Sequence, residues 1–143
     1  MYTIQMLKIP ILILVLVLVS SQYVLASAEP SSKSIKAAGN VVSFNNSPHS
    51  GLWAAEASVD SNMGDLVSVF KNDAGDIFIV TVKGDDFMID EQGLTISGTG
   101  FVAKNNVLLK QGKGTARISE SSMEIRVNGD VVVSGQTLSF ETK

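Results

Sequence analysis

Asp85-Asp86 and Asp90-Glu91 are the carboxylates whose type and spacing could do acid and base chemistry, since glycoside hydrolysis needs only two acids at a suitable separation. All four fall in short polar segments that read as turns, where acids are ordinarily solvated surface. Calcium is a second use for such residues, because it takes six to eight oxygens from carboxylates and carbonyls. Asp73 and Asp76, with Asn72, flank Gly75, and Asp85 and Asp86 precede Asp90; either group could supply part of a shell, although neither has the alternating acidic spacing of an EF-hand loop. Other chemistries lack their residues. A hydrolytic triad needs a base held between nucleophile and acid, and the only histidine, His49, sits in a proline-containing polar stretch. With no cysteine in the chain, thiol catalysis and thiolate metal ligation are excluded. Gly98-Thr99-Gly100 lies in a strand pattern with no following helix, unlike a dinucleotide fingerprint.

Two further features could bind a ligand. Trp53 is the single tryptophan, either an exposed anchor for a sugar or partner or, more ordinarily in a small β-domain, a core residue. Gly98 and Gly100, and Gly112 and Gly114, lie two apart and share one face of their strands. They predict sheet curvature over a small core or, alternatively, a shallow groove where a ligand meets bare backbone. Asn45-Asn46-Ser47 fits the glycosylation acceptor pattern, although Pro48 follows it directly.

These residues must be held by strands. Leu66, Ser68 and Phe70 alternate with Val67, Val69 and Lys71, and a β-branched stretch from Ile77 to Val82 follows the turn signal Asn72-Asp73-Ala74-Gly75. Lys83-Gly84-Asp85-Asp86 and Asp90-Glu91-Gln92-Gly93 read as further turns on either side of a short strand. Asn105-Asn106 joins two longer strands, and it predicts partners whose numbers sum to about 211, with Gly98 and Gly100 opposite Lys113 and Gln111. Met123 to Val127 alternates into Asn128-Gly129, the favoured two-residue turn, and residues 137–140 form a terminal strand with an edge open to pairing. Residues 45–51 read as a loop, and only the Ala-rich residues 52–57 could be helical. The fold class expected is all-β: a small antiparallel sandwich or barrel-like meander of about 8–9 strands.

Ahead of this domain, Lys8 precedes an apolar run over residues 9–19, and the segment ends Val24-Leu25-Ala26-Ser27-Ala28. The length and the small residues match an export signal cut after Ala26 or Ala28, which makes residues 1–28 a signal peptide helix. The competing reading is an uncleaved anchor, which needs about 20 apolar residues and would have to include Ser20, Ser21, Gln22 and Ser27. Residues 29–40 are small and polar and read as a flexible leader, leaving 41–143 as one β domain.

The whole chain has 11 basic and 14 acidic residues and a net charge of −3. Its nearest approach to a basic cluster, Lys104, Lys110 and Lys113, is spread along two strands, which excludes nucleic acid as a partner. The expectation is an exported, non-enzymatic β-domain of the cell envelope or extracellular space, with a binding or structural role and no cofactor. Its alternatives are a carrier holding a lipid or other apolar ligand in a curved sheet, and a self-associating envelope protein.

Overall fold

The computed structural model describes residues 34–143; the expected signal peptide and residues 29–33 lie outside them. The described residues form eight strands: β1 (Ser34–Phe44), β2 (Ser47–Ser58), β3 (Met63–Lys71), β4 (Ile77–Asp90), β5 (Gly93–Lys104), β6 (Val107–Ile118), β7 (Ser122–Val127) and β8 (Asp130–Thr142). Each is antiparallel to the next, and β8 returns to pair with β1, so the meander closes into a barrel. Eight strands leave an interior about as wide as the side chains that fill it.

Period-two alternation sets the wall. In β3, Leu66, Ser68 and Phe70 point inward while Asp65, Val67 and Val69 face out. The same pattern brings Val80, Val82, Leu94, Ile96, Ala116, Ile118, Met123, Ile125 and Val133 into one buried core. Ser68 is the polar exception, and its hydroxyl donates to the Val80 carbonyl at 2.8 Å, so burial leaves it satisfied. Three two-residue turns have both central residues at positive φ, which matches the strand twist: Asn45-Asn46, Asn105-Asn106 and Asn128-Gly129.

Several expectations are corrected. Residues 34–40 are not leader but the first part of β1, with Ile35, Ala37 and Gly39 facing in. Their small size reflects what they oppose: Gly39 lies across from Trp53, and a side chain on Gly39 would collide with the Gln136 carbonyl and the indole nitrogen. Only Asn45-Asn46 of the expected loop is a turn; His49 and its neighbours belong to β2, as do the Ala-rich residues 52–57. The expected turn at residues 83–86 is a bulge within the continuous β4, where Gly84 pairs with Gly98, Asp86 with Ser97, and Asp85 is left over. The sum of 211 holds for Lys104 with Val107 and Ala103 with Leu108. A bulge at Leu109 then moves the register by one, so Gly98 opposes Gly114 and Gly100 opposes Gly112.

Candidate functional site

The acidic residues do not assemble. Asp76, at the start of β4, is engaged in bracing: its Oδ2 accepts from the Asn72 amide at 3.0 Å and its Oδ1 from the Asn105 amide at 2.9 Å, with Lys104 Nζ at 3.6 Å. The Asn72 and Asn105 hydrogen bonds, in that order, lead the causes that hold its carboxyl below the usual range. Both oxygens serve to tie the β3–β4 and β5–β6 turns together. Asp73 is exposed in the same turn, and Asp85 and Asp86 are exposed at the β4 bulge. Asp90 Oδ1 accepts from the amides of Gln92 and Gly93 and shapes the β4–β5 turn. Among the described residues, no three or more histidine or carboxylate side chains gather as a metal-binding group.

Of the two readings of Trp53, the structure has the core residue and not the surface anchor: it is 2% exposed, and its indole N–H donates to the Gln136 carbonyl at 3.1 Å. Alternation along β2 turns it inward, and the missing side chains of Gly39 in β1 and Gly135 in β8 leave its space. For the four glycines, likewise, the structure has the expected sheet curvature and not the alternative groove. Gly98 and Gly114 belong to an inward row with Gly64 and Gly84 across β3 to β6. A Cβ on Gly98 would enter the Lys83 carbonyl, and one on Gly114 would enter the Gly100 backbone. The position above Gly112 is taken by the Asn128 side chain, and that above Gly100 is bounded by Val127 and Gly114. The sheet coils so tightly here that neighbouring strands and side chains occupy the space a ligand would need.

His49 caps one end of the interior. Its ring stands edge-on to Phe44, Phe70 and Phe78 at centroid distances of 5.5, 5.6 and 5.9 Å, and Nδ1 lies 3.0 Å from the Ser47 carbonyl. The geometry suits an aromatic plug.

The outer wall carries what the sequence reading missed. One row of directly opposed residues runs Leu52, Val69, Ile79, Ala103, Leu108 across β2 to β6. The row beside it is Ala54, Val67, Thr81, Phe101 and Gln111. Together they make an apolar face on the outside of the barrel, with Leu52 62% and Leu108 55% exposed at its ends. The next row is charged: Lys36, Glu56, Asp65 and Lys83, neighbours across β1 to β4. Glu56 faces outward, yet it is buried, and its Oε1 has no hydrogen-bond partner. Burial pushes its carboxyl up to about 7, against the pull of Lys36 and with a push from Asp65. Glu141 of β8 lies across from Lys36 and extends this charged row, and the wall of β6 to β8 beyond it, with Arg117, Glu124, Arg126 and Gln136, is polar. A signal for this face was present in residues such as Val67, Val69 and Ile79, which fill positions that alternation assigns to solvent.

Extended apolar surface of this kind marks interaction sites in proteins of this size. Comparisons with protein-family models, with curated proteins and with solved structures found no match to this chain.

Proposed function

We propose that this chain is an exported, non-enzymatic β-barrel module of the cell envelope or extracellular space, which works by binding through its outer wall. The observation that supports this most is the apolar face of β2 to β6, because the inward faces are already occupied by core side chains and close strand contacts. A carrier of an apolar ligand would need that interior space for its cargo. The N-terminal segment, with Lys8, the apolar residues 9–19 and Ala26 and Ala28, supports export.

The experiment is expression of the full chain in its own host, followed by fractionation and mass measurement of the recovered product. Export predicts a chain beginning at Ser27 or Glu29 outside the cytoplasm. Binding through the outer wall predicts that Ile79→Lys shifts the exported protein from envelope-associated to freely soluble fractions. A chain that keeps Met1 and stays in the cytoplasm would overturn the export reading, and an unchanged distribution of the Ile79→Lys variant would overturn the role of the apolar face.

Self-association is the second reading. The terminal strand does not offer the free edge expected of residues 137–140, because β8 pairs there with β1 through Thr137, Ser139 and Phe140. Its other side is open beyond Thr137, and that opening favours the reading.

A further inference from the structure

β7 has 6 residues and stands between strands of 12 and 13. It pairs with β6 only from Gly114 opposite Val127 to Ile118 opposite Met123, and with β8 only from Val127 opposite Asp130 to Ser122 opposite Gln136. The Asn128 amide donates to the Lys113 carbonyl and the Lys113 amide to Asn128 Oδ1, which closes the β6 side as far as Lys113, and the Asn128 side chain covers Gly112. The Thr137 amide, donating to the Ser121 carbonyl, closes the β8 side. Beyond these points two stretches remain, among the described residues, without a partner on the side that faces β7: 107–111 of β6 at one end of the barrel, whose other side pairs with β5, and 138–142 of β8 at the other end, whose other side pairs with β1.

The two edges suit each other. Each is five residues long and carries exposed aliphatic side chains, Val107, Leu108 and Leu109 on one and Leu138 on the other. Within these stretches the first has Lys110 and no acid, and the second has Glu141 and no base, with Lys143 just beyond it bonded through its backbone to Ser34, and Lys36 across from Glu141 in the same chain. Lys110 also reaches Asp130 in its own chain at 3.9 Å, a loose contact between exposed groups that is worth little. Symmetric pairing of β6 with β6 about Leu109 would bring the two Lys110 side chains to diagonal positions, and β8 with β8 about Phe140 would do the same for Glu141. Pairing β6 with β8 joins opposite charges instead.

We infer that the open β6 edge, residues 107–111, takes the open β8 edge, residues 138–142, of a second copy of this chain, by strand addition in a head-to-tail manner. The added strand supplies partners for main-chain groups that otherwise face solvent, which is the source of affinity in strand addition. Because the two edges lie at different ends of the barrel, the contact is heterologous, and it repeats from copy to copy into a ring or a row. The inference rests on the reading of the barrel as a binding module and names its partner; it does not depend on export.

The absence of cysteine allows a direct test. Full-length chains carrying Leu109→Cys, Leu138→Cys, or both are treated with a short bis-maleimide across a dilution series and separated under denaturing conditions. Trp53 emission checks that each variant is folded. Chains with both cysteines are expected to give a ladder of dimer, trimer and larger species, a mixture of the two single variants a dimer, and each single variant alone only monomer. A dimer from Leu109→Cys alone or from Leu138→Cys alone would replace head-to-tail pairing with a symmetric contact and overturn the inference. Monomer throughout would overturn it as well, and so would a ladder matched by a Leu52→Cys, Leu138→Cys control. The N-terminal mass of the same bands reports export separately.

Discussion

Gly98 lies directly across from Gly114 in the β5–β6 ladder, and a Cβ on either would enter backbone atoms of a neighbouring strand. The barrel closes around this contact, since Gly84 and Gly64 continue the row across β4 and β3.

A Gly98→Val variant is therefore expected to lose about 3 kcal/mol of stability or more, as overpacking against backbone that cannot give way. Gly75 is the matched control. It has φ of +86° and nothing within 4 Å of its Cβ position, so Gly75→Ala is expected to cost only about 1–2 kcal/mol of left-handed backbone strain. Urea denaturation of the two variants checks the difference; equal costs would show that the glycine row is not what closes the barrel.

Asp76 is a brace between turns, and its replacement tests that against calcium binding. Asp76→Ala removes the acceptor of Asn72 and Asn105 and is expected to lower the melting temperature at neutral pH. Because its carboxyl is held below the ordinary value, its contribution is present above the ordinary carboxylate range and fades as pH falls through the folded-state value. The gap in melting temperature between wild type and variant should thus narrow in acid. Calcium should not raise the melting temperature of the wild-type protein, and a rise abolished by a chelator would restore the ion-binding reading.

The turns at Asn105-Asn106 and Asn128-Gly129 were legible because these pairs tolerate positive φ and the strands beside them alternate, whereas Asn45-Asn46 was hidden in a run of polar residues that reads as a longer loop. β1 was not legible, because Ala37, Ala38 and Gly39 look like linker until Gly39 is set against Trp53, whose indole nitrogen occupies the space a side chain there would need. The bulge at Leu109 was equally hidden, since a one-residue slip leaves the local composition unchanged and moves only the partner. The open edges depend on the shortness of β7 relative to two strands that are not adjacent to each other. The outer apolar face appears only when registers are aligned across β2 to β6, although each strand contributes just one or two of its residues.

The Trp53 indole is held by packing against β1 and by its bond to the Gln136 carbonyl, so it reports closure of β1, β2 and β8 together. Its emission should be blue-shifted in the native protein and move to the red in the same transition that abolishes β structure. Trp53→Phe deletes the N–H donor and leaves the Gln136 carbonyl without it, for a loss of about 1–3 kcal/mol. Ala38→Asp, on the outward side of β1, the strand paired with that of Trp53, should cost well under that in the same urea titration.

Glu56 should make stability depend on pH in the direction opposite to Asp76. Its carboxyl is raised from 4.5 to about 7 in the folded protein, first by burial, with Asp65 adding to the shift and Lys36 opposing it. Between those two values the native state holds a proton that the unfolded chain has released, so stability falls as pH rises from about 4.5 to about 7 and is level beyond. Discounted for solvent screening of a group on the outer wall, the loss is about 1–2 kcal/mol. Glu56→Gln keeps the shape, cannot ionise, and should flatten this part of the profile while stabilising the protein at pH 8. Denaturation midpoints of both proteins at pH 4.5, 6 and 8 give the comparison. Parallel profiles would mean that Glu56 is solvated in the folded chain, and a variant destabilised at pH 8 would mean that the ionised carboxylate is paired, with Lys36 outweighing the cost of burial.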